Sequence, residues 1–203
     1  MFGMTETANW IGGGVLDDAL GRDGYVGSSW EGDLAVLTDA GISQTGRGEV
    51  LVRTAGLMDG FWDAPDMTRE AFTAGWFRSG DIGELATDGS LTLLGRLKTE
   101  INCAGIKILA EEVDMLLERH PAVAQACAFA LDDPVSGEVV GAAVVREGSG
   151  DLDVEKLRKW AGDRARPDAV PRHIFLVEAI PLSDRGKIIR DAVRAQCLKE
   201  TGA

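Results

Sequence analysis

The stretch Ala110-Glu-Glu-Val-Asp-Met-Leu-Leu-Glu-Arg-His120 lies where a glycine-rich, strand-like pattern gives way to alternating helices and strands. Its first turn is acidic and its last turn is basic, as the helix dipole favours. Val113, Leu116 and Leu117 fall on one face of the predicted helix. Pro121 ends this helix, and the apolar run 123–130 follows it directly. The pattern predicts a helix that packs on a buried strand.

The same alternation continues to the end of the chain. Residues 141–145 and 174–177 are apolar and predict two more strands. Between them, residues 153–160 repeat apolar side chains at intervals of three, which indicates an amphipathic helix. Strands covered by helices predict a small α+β domain over residues 98–203.

Residues 1–97 predict a mostly β unit, because short apolar runs alternate with glycine and aspartate. Residues 48–53 alternate as a strand does, and the turn at 87–89 leads into a second strand at 90–94. A short helix should begin at 64–68, where Asp or Thr can cap it. The predicted fold class is therefore α/β (α+β), with a mostly β N-terminal subdomain, an incomplete barrel, before the α+β domain.

Composition narrows the possible functions. The 203 residues carry 33 acidic and 21 basic side chains, a formal charge of −12, which argues against nucleic-acid or anionic-membrane binding through a broad basic surface. Three widely spaced cysteines support neither a disulfide framework nor a zinc site. We expect a cytoplasmic protein, because the sequence has neither a secretory signal nor an apolar run of membrane-spanning length.

Short signatures in fixed order resemble the second half of an adenylate-forming enzyme of the acyl-CoA synthetase, adenylation-domain and luciferase superfamily. The resemblance covers nearly the whole chain. That family's Gly/Ser/Thr-rich phosphate loop lies upstream of the first signature and is not found in this sequence, so we expect the chain alone to be incomplete and inactive. The signatures are Phe2-Gly-Met-Thr-Glu6, Gly60-Phe-Trp62, Gly75-Trp-Phe-Arg-Ser-Gly-Asp81, Gly95-Arg-Leu-Lys98, Ile101-Asn-Cys-Ala-Gly-Ile-Lys107 and Pro181-Leu-Ser-Asp-Arg-Gly-Lys-Ile-Ile-Arg190.

The resemblance implies that Lys187 is the catalytic lysine. Attack of a carboxylate on the α-phosphate of ATP brings two negative groups together, so a cation between them stabilises the reaction. The resemblance places Lys187 there, on a glycine-containing loop. The alternative is a solvated lysine, as most lysines are.

Asp81 and Arg96 are implied to bind the nucleotide, with the carboxylate accepting hydrogen bonds from the ribose hydroxyls. The alternative is a structural turn at Gly80-Asp81 that Arg96 closes as an ion-pair partner. Thr5 is implied to contact phosphate and Glu6 to hold Mg²⁺, a cation that prefers oxygen ligands. Phe2 replaces the usual tyrosine and can stack on adenine but has no hydroxyl.

Lys98 is implied to be a hinge about which the following residues rotate between two half-reactions. Gly105 is implied to line the tunnel for the thiol-bearing pantetheine arm, where a Cβ would narrow the passage. The alternatives are an exposed loop lysine and an ordinary turn glycine.

The implied function is the C-terminal portion of an ATP-dependent acid:thiol ligase of the acyl-CoA synthetase type, which activates fatty or aryl acids. Its implied substrates are a carboxylic acid, ATP with Mg²⁺, and coenzyme A or a carrier-protein phosphopantetheine, and AMP is a product. Its partner would be the N-terminal portion of the same enzyme, in cis or in trans. The alternative is a catalytically incompetent split or truncated module that binds a partner chain.

Overall fold

The computed structural model describes residues 1–15, 22–148 and 152–201 of the chain. The chain divides into two compact units, Met1–Lys98 and Thr99–Ala203. Among the described residues, no helix is both long and apolar enough to cross a membrane. The mixed α/β composition confirms the predicted fold class.

The first unit is built on one nine-stranded sheet. Its strands pair in the order β1-β2-β3-β9-β8-β6-β4-β5, with the short β7 beside β8. Over the described residues the sheet is open, with β1 and β5 at the ends of this order. The strands are β1 (Phe2–Gly3), β2 (Trp10–Gly13), β3 (Tyr25–Ser29), β4 (Asp33–Thr38), β5 (Gly41–Ser43), β6 (Gly46–Arg53), β7 (Phe72–Thr73), β8 (Trp76–Leu85) and β9 (Ser90–Arg96).

Strand β6 explains why this sheet needs apolar cover on both faces. Val50 and Val52 belong to one apolar cluster, whereas Leu51 packs with Ala35 and Trp76 in another. All three β6 side chains are fully buried. Since successive residues of a strand point to opposite faces, both faces of the sheet are covered here. The alternating sequence predicted a strand here but not that both of its faces are covered.

The predicted short helix of this unit is α1 (Pro65–Ala71), but its cap differs from the prediction. The residue at the N-cap is Ala64, whose side chain caps nothing. Thr68 lies inside the helix, where its hydroxyl accepts a hydrogen bond from the Phe61 N–H and donates one to the Ala64 carbonyl. Pro65 at the first helical position has no N–H, so the start of the helix has one fewer unpaired donor.

The second unit is a five-stranded sheet with helices on both faces. The strand order is β11-β10-β13-β12, and β14 pairs with β13 in parallel. The strands are β10 (Glu100–Cys103), β11 (Ile106–Leu109), β12 (Val123–Asp133), β13 (Gly137–Arg146) and β14 (His173–Leu176), and the helices are α2 (Ala110–Glu118), α3 (Val154–Gly162) and α4 (Arg190–Thr201).

Alternation along β12 divides its side chains between two cores. Ala126 and Ala128 face the core that α2 and α3 complete, whereas Cys127 and Phe129 face the core that α4 completes. Helix α2 places Ala110, Val113, Asp114 and Leu117 on its buried face, a spacing that follows the helical repeat. A carboxylate therefore lies on an apolar stripe.

The two predicted helices of this unit lie close to their predicted positions. Helix α3 is capped by Asp153, whose carboxylate accepts hydrogen bonds from two backbone N–H groups. Helix α4 was not predicted. It buries Val193 and Cys197, one helical turn apart, beneath the sheet. Only these two of its described side chains are fully buried, so its apolar periodicity is weak in the sequence.

Candidate functional site

Asp81 lies at a bulge inside the long strand β8. Leu51 of the neighbouring strand pairs with Arg78 and Glu49 pairs with Ile82, so three residues of β8 oppose one of β6. Gly80 allows this bulge because its φ is +70°, a conformation that favours glycine. Bulges re-aim side chains, and this one directs the Asp81 carboxylate toward the end of strand β9.

Arg96 is the partner of Asp81 across the two strands. The two residues are opposite each other in the ladder, and Arg96 Nε lies 2.8 Å from Asp81 Oδ1. The carboxylate is nearly buried, with 13% of its side chain exposed, whereas the arginine side chain is 50% exposed. The ion pair of the predicted alternative is therefore present, although Gly80 and Asp81 form a bulge within a strand and not a turn. The nucleotide roles of both residues stay predictions.

Glu49 fixes the backbone of the bulge. Its buried carboxylate lies 2.7 Å from Arg78 Nη2 and accepts a 3.2 Å hydrogen bond from the Gly80 N–H. Ser79 adds a second link, since its hydroxyl donates to the Val50 carbonyl at 2.7 Å and accepts from the Asp81 N–H at 3.0 Å. The sequence prediction assigned no role to Glu49. A single acid directly before the apolar residues of β6 was the available signal.

The N-terminal signature forms strand β1 and a 3₁₀ turn over Thr5–Thr7. Thr5 is exposed, Glu6 is half-buried, and the Glu6 carbonyl accepts a 2.8 Å hydrogen bond from the Met58 N–H. Phe2 is only 5% exposed and packs in the apolar core of the first unit. Its ring therefore has a packing role here, and its stacking on adenine stays a prediction.

Glu6 is the residue of this region that the resemblance assigns to a metal ion. Within residues 1–15, 22–148 and 152–201, no group of three or more His, Cys, Asp or Glu side chains could hold one. Glu6 fits Mg²⁺ only with water and substrate phosphate as the remaining ligands, which is a common arrangement for this cation.

Lys98 and Gly105 occupy two turns that follow β9 and β10. Lys98 is exposed in a 3₁₀ turn over Leu97–Thr99 and is the last residue of the first unit. Ala104 and Gly105 join β10 to β11, and both have positive φ, +51° and +88°. This two-residue hairpin turn itself explains the glycine. The hinge and tunnel roles stay predictions.

Lys187 belongs to the second unit and lies near the tip of an exposed hairpin, defined here as residues 181–189 and called the lysine hairpin. Leu182 and Ile188 pair across it, and the Ser183 N–H donates to the Lys187 carbonyl at 2.8 Å. Gly186, with φ +73°, makes the turn. The lysine side chain is exposed, so its amine is accessible to a ligand.

The next residue after this hairpin, Arg190, is the centre of a buried charge cluster. Its Nη2 lies 2.9 Å from Asp114 Oδ2 and 3.2 Å from Glu111 Oε1. Its Nη1 donates to the Ala128 carbonyl and lies 3.5 Å from Cys127 Sγ. The sequence prediction quoted Arg190 but gave it no role. The acidic Asp114 on the apolar stripe of α2 was the signal for a buried basic partner.

Burial controls the ionisation of this cluster. It raises the pKa of Asp114 to about 6, against the opposing effects of Arg190 and of the hydrogen bond from the Ala128 N–H. Burial also raises the pKa of the Cys127 thiol to about 12, so this cysteine is protonated at neutral pH.

A separate cavity of about 320 Å³ lies in the second unit between α2 and residues 164–169. None of the predicted site residues lines it. Two of its arginines already have partners, since Arg166 Nη2 donates to the Lys107 carbonyl at 2.7 Å and Arg164 lies over the Trp160 ring.

Comparison with known proteins relates both units to ligases that form adenylates. Residues 112–187 match the family described as the AMP-binding enzyme C-terminal domain. The chain is 33% identical over 96% of its length to the long-chain-fatty-acid–CoA ligase FadD13 of Mycobacterium tuberculosis. It is 33% identical over 98% of its length to the oxalate–CoA ligase of Arabidopsis thaliana. It covers 39% of each relative.

Solved structures agree with this relationship. The chain is 34% identical to the amide bond synthetase McbA of Marinactinospora thermotolerans, with a TM-score of 0.77 over 85% of this chain and 36% of that one. The o-succinylbenzoate CoA synthetase of Bacillus subtilis, solved with its acyl-adenylate intermediate, gives a TM-score of 0.83 at 25% identity over 95% of this chain and 40% of that one. By sequence and fold, the chain belongs to the adenylate-forming enzyme family and corresponds to the C-terminal part of its acyl-CoA ligases.

Proposed function

We propose that this chain supplies the ribose-binding turn and the catalytic lysine of an ATP-dependent acid:thiol ligase. The observation that carries the proposal is the Asp81–Arg96 pair, held at a bulge with its ion pair at 2.8 Å. The bulge is fixed by a buried glutamate, so the carboxylate has a defined direction before any ligand binds. Such preorganisation is typical of a binding site.

The proposed reaction has two steps. A carboxylate attacks the α-phosphate of ATP to give an acyl-adenylate and pyrophosphate, and a thiol then displaces AMP to give a thioester. Asp81 would bind the ribose hydroxyls, Arg96 would contact the same nucleotide, and Thr5 would contact phosphate. Lys187 would hold its ammonium group between the two negative reactants, where it stabilises the charge that develops.

Two further proposals concern the acceptor and the metal. Coenzyme A is the favoured thiol over a carrier-protein phosphopantetheine, because the closely matching relatives are CoA ligases. Its pantetheine arm would pass Gly105, with Lys98 as the hinge between the two steps. Mg²⁺, when bound with ATP, would neutralise phosphate charge, and Glu6 would hold it.

The three free thiols favour a reducing compartment, so the proposed location is the cytoplasm.

A chimera tests the proposal. The matched C-terminal part of the Mycobacterium tuberculosis ligase FadD13 is replaced by this chain, and fatty-acid-dependent exchange of pyrophosphate into ATP is measured. We expect exchange in the chimera and its loss after Lys187→Ala. Because Lys187 is exposed, the substitution should leave the stability of the fold unchanged.

Lys159→Ala is the matched control, since Lys159 is also exposed but lies on helix α3. It should leave the exchange rate unchanged. Exchange that survives Lys187→Ala would remove this lysine from the mechanism. A folded chimera that shows no exchange with any fatty acid would argue against the ligase proposal itself.

The second candidate is a catalytically incompetent module that binds a partner chain. It is favoured by large exposed aromatic side chains in the first unit, above all Trp62, which is 98% exposed, with Trp30 and Trp10 more than half exposed. Such side chains are common in protein interfaces. Calorimetry of the chain with ATP, AMP and an adenylate analogue separates the candidates, because the ligase proposal expects weak nucleotide binding and the module expects none.

A further inference from the structure

The lysine hairpin has little apolar packing of its own. Leu182, Ile188 and Ile189 are 48%, 38% and 43% exposed, so the tip that carries Lys187 lies largely in solvent. Its order depends on a few local hydrogen bonds, including the Gly186 N–H to the Ser183 carbonyl at 2.8 Å. Hydrogen bonds exposed to water contribute little by themselves, so the direction of the hairpin must come from its base.

The two ends of the hairpin are its anchors. Ile180, just before it, is 5% exposed and lies in the core under α4. Arg190, just after it, has a side chain that is only 16% exposed and bridges Asp114, Glu111 and the Ala128 carbonyl. A guanidinium held by several acceptors has one geometry, because its donors form a rigid plane.

Glu111 connects this anchor to the first residue of the second unit. The Thr99 hydroxyl lies 2.8 Å from Glu111 Oε1 and 3.0 Å from Oε2, and the same Oε1 receives Arg190 Nη2 at 3.2 Å. Thr99 directly follows Lys98 in the chain. One carboxylate on α2 therefore joins the segment that leaves residue 98 to the base of the lysine hairpin.

We infer that Arg190 is a positioning residue for Lys187 and that Glu111 links it to Thr99, so the chain leaving residue 98 and the lysine hairpin move as one body. The functional part of this inference rests on the proposed role of Lys187. The mechanical part does not, because it concerns only contacts within the second unit. A rotation at residue 98 would then set the position of the lysine directly.

Amide hydrogen exchange of the 203-residue chain without nucleotide tests the mechanical part. Thr99→Val removes the hydroxyl at nearly constant volume. Loss of one hydrogen bond in this chain of contacts should speed exchange at the Gly186 and Ile189 amides about threefold or more. The same substitution in a Glu111→Gln background should add much less, because the link is already weakened.

The matched control is Arg194→Met, which removes an ion pair one turn further along α4, between Arg194 Nη2 and Asp132 at 2.8 Å. It should leave exchange in the lysine hairpin unchanged. The inference is overturned if Thr99→Val leaves hairpin exchange at the wild-type rate, or if its effect is the same with and without Glu111→Gln.

The functional part is tested in the chimera by the conservative variant Arg190→Lys, which keeps the charge but not the planar set of donors. Misplacement of Lys187 should slow adenylate formation about tenfold or more, while thioester formation from supplied acyl-adenylate stays close to the wild-type rate. Equal slowing of both steps would mean general destabilisation and would overturn the positioning role. If Lys187→Ala itself has no effect, the proposed role of Lys187 fails, and the amide-exchange result still decides the mechanical part separately.

Discussion

Replacing Arg190 with methionine should destabilise the second unit by an amount that depends on pH. The substitution replaces the guanidinium with an apolar side chain of similar length, and so removes the Arg190 donors from a cluster in which the Asp114 side chain is only 10% exposed. Leaving one member of a buried ion pair without its partner costs about 3–5 kcal/mol. This is a large share of the 5–15 kcal/mol by which folded domains are usually stable.

The pH dependence follows from Asp114. Its folded pKa, about 6, is above its ordinary value of 3.8, so this group makes the wild-type protein less stable as pH rises from about 4 to about 6. Without Arg190, burial acts with less opposition and the folded pKa rises further. The loss of stability then continues to higher pH, by about 1.4 kcal/mol for every additional pKa unit. The variant should therefore lose more stability at pH 8 than at pH 5.5.

The assay is pulse proteolysis over a urea series at both pH values, with peptides from residues 99–201 identified by mass spectrometry. Arg194→Met is the control, since its partner Asp132 has a side chain that is 88% exposed. An exposed pair contributes about 1 kcal/mol or less, so the control should lose little at either pH. An equal loss for Arg190→Met at pH 5.5 and pH 8 would refute the assignment of Asp114 as the titrating group.

Three other predictions concern packing and reactivity. Gly83→Ala should lower the free energy of unfolding of the first unit by about 1–3 kcal/mol in urea denaturation, because a Cβ there would lie 2.8 Å from Val50 Cγ2. Gly162→Ala should raise the melting temperature, adding up to about 1 kcal/mol, because the nearest atom to a Cβ at this helical position is 4.0 Å away. An unchanged or lower melting temperature would contradict this. Of the three thiols, only the half-buried Cys103 should react with a thiol reagent in the native protein at pH 8, and Cys103→Ser should abolish that rapid reaction.

The elements that the sequence predicted well are those with strong periodicity. Helices α2 and α3 and strands β12 and β13 carry dense apolar repeats, and each lies within a few residues of its predicted position. Helix α4 was missed because charged and small residues separate its two buried side chains. A helix with so narrow an apolar stripe is stabilised by the sheet on which it packs, which local periodicity does not reveal.

The site was predictable as residue types more than as geometry. The signatures predicted that Asp81 and Arg96 contact the same nucleotide, which stays a prediction, and the structure shows that they are paired residues of β8 and β9. The burial of Phe2 could not be read from the sequence, because a single aromatic residue near a chain end has no periodicity. The role of Arg190 also required the structure, since its partners are 62–79 residues away.

The bulge at Gly80 has a consequence for how this family's sequences can vary in length. Because side chains of a strand alternate between faces, losing one of the three residues that oppose Val50 would shift the remainder of β8 by one position. Leu85 would leave the core of the first unit, and the exposed Glu84 would enter it. Single-residue deletions between Arg78 and Ile82 should therefore be purged from functional homologues even where each individual side chain is replaceable.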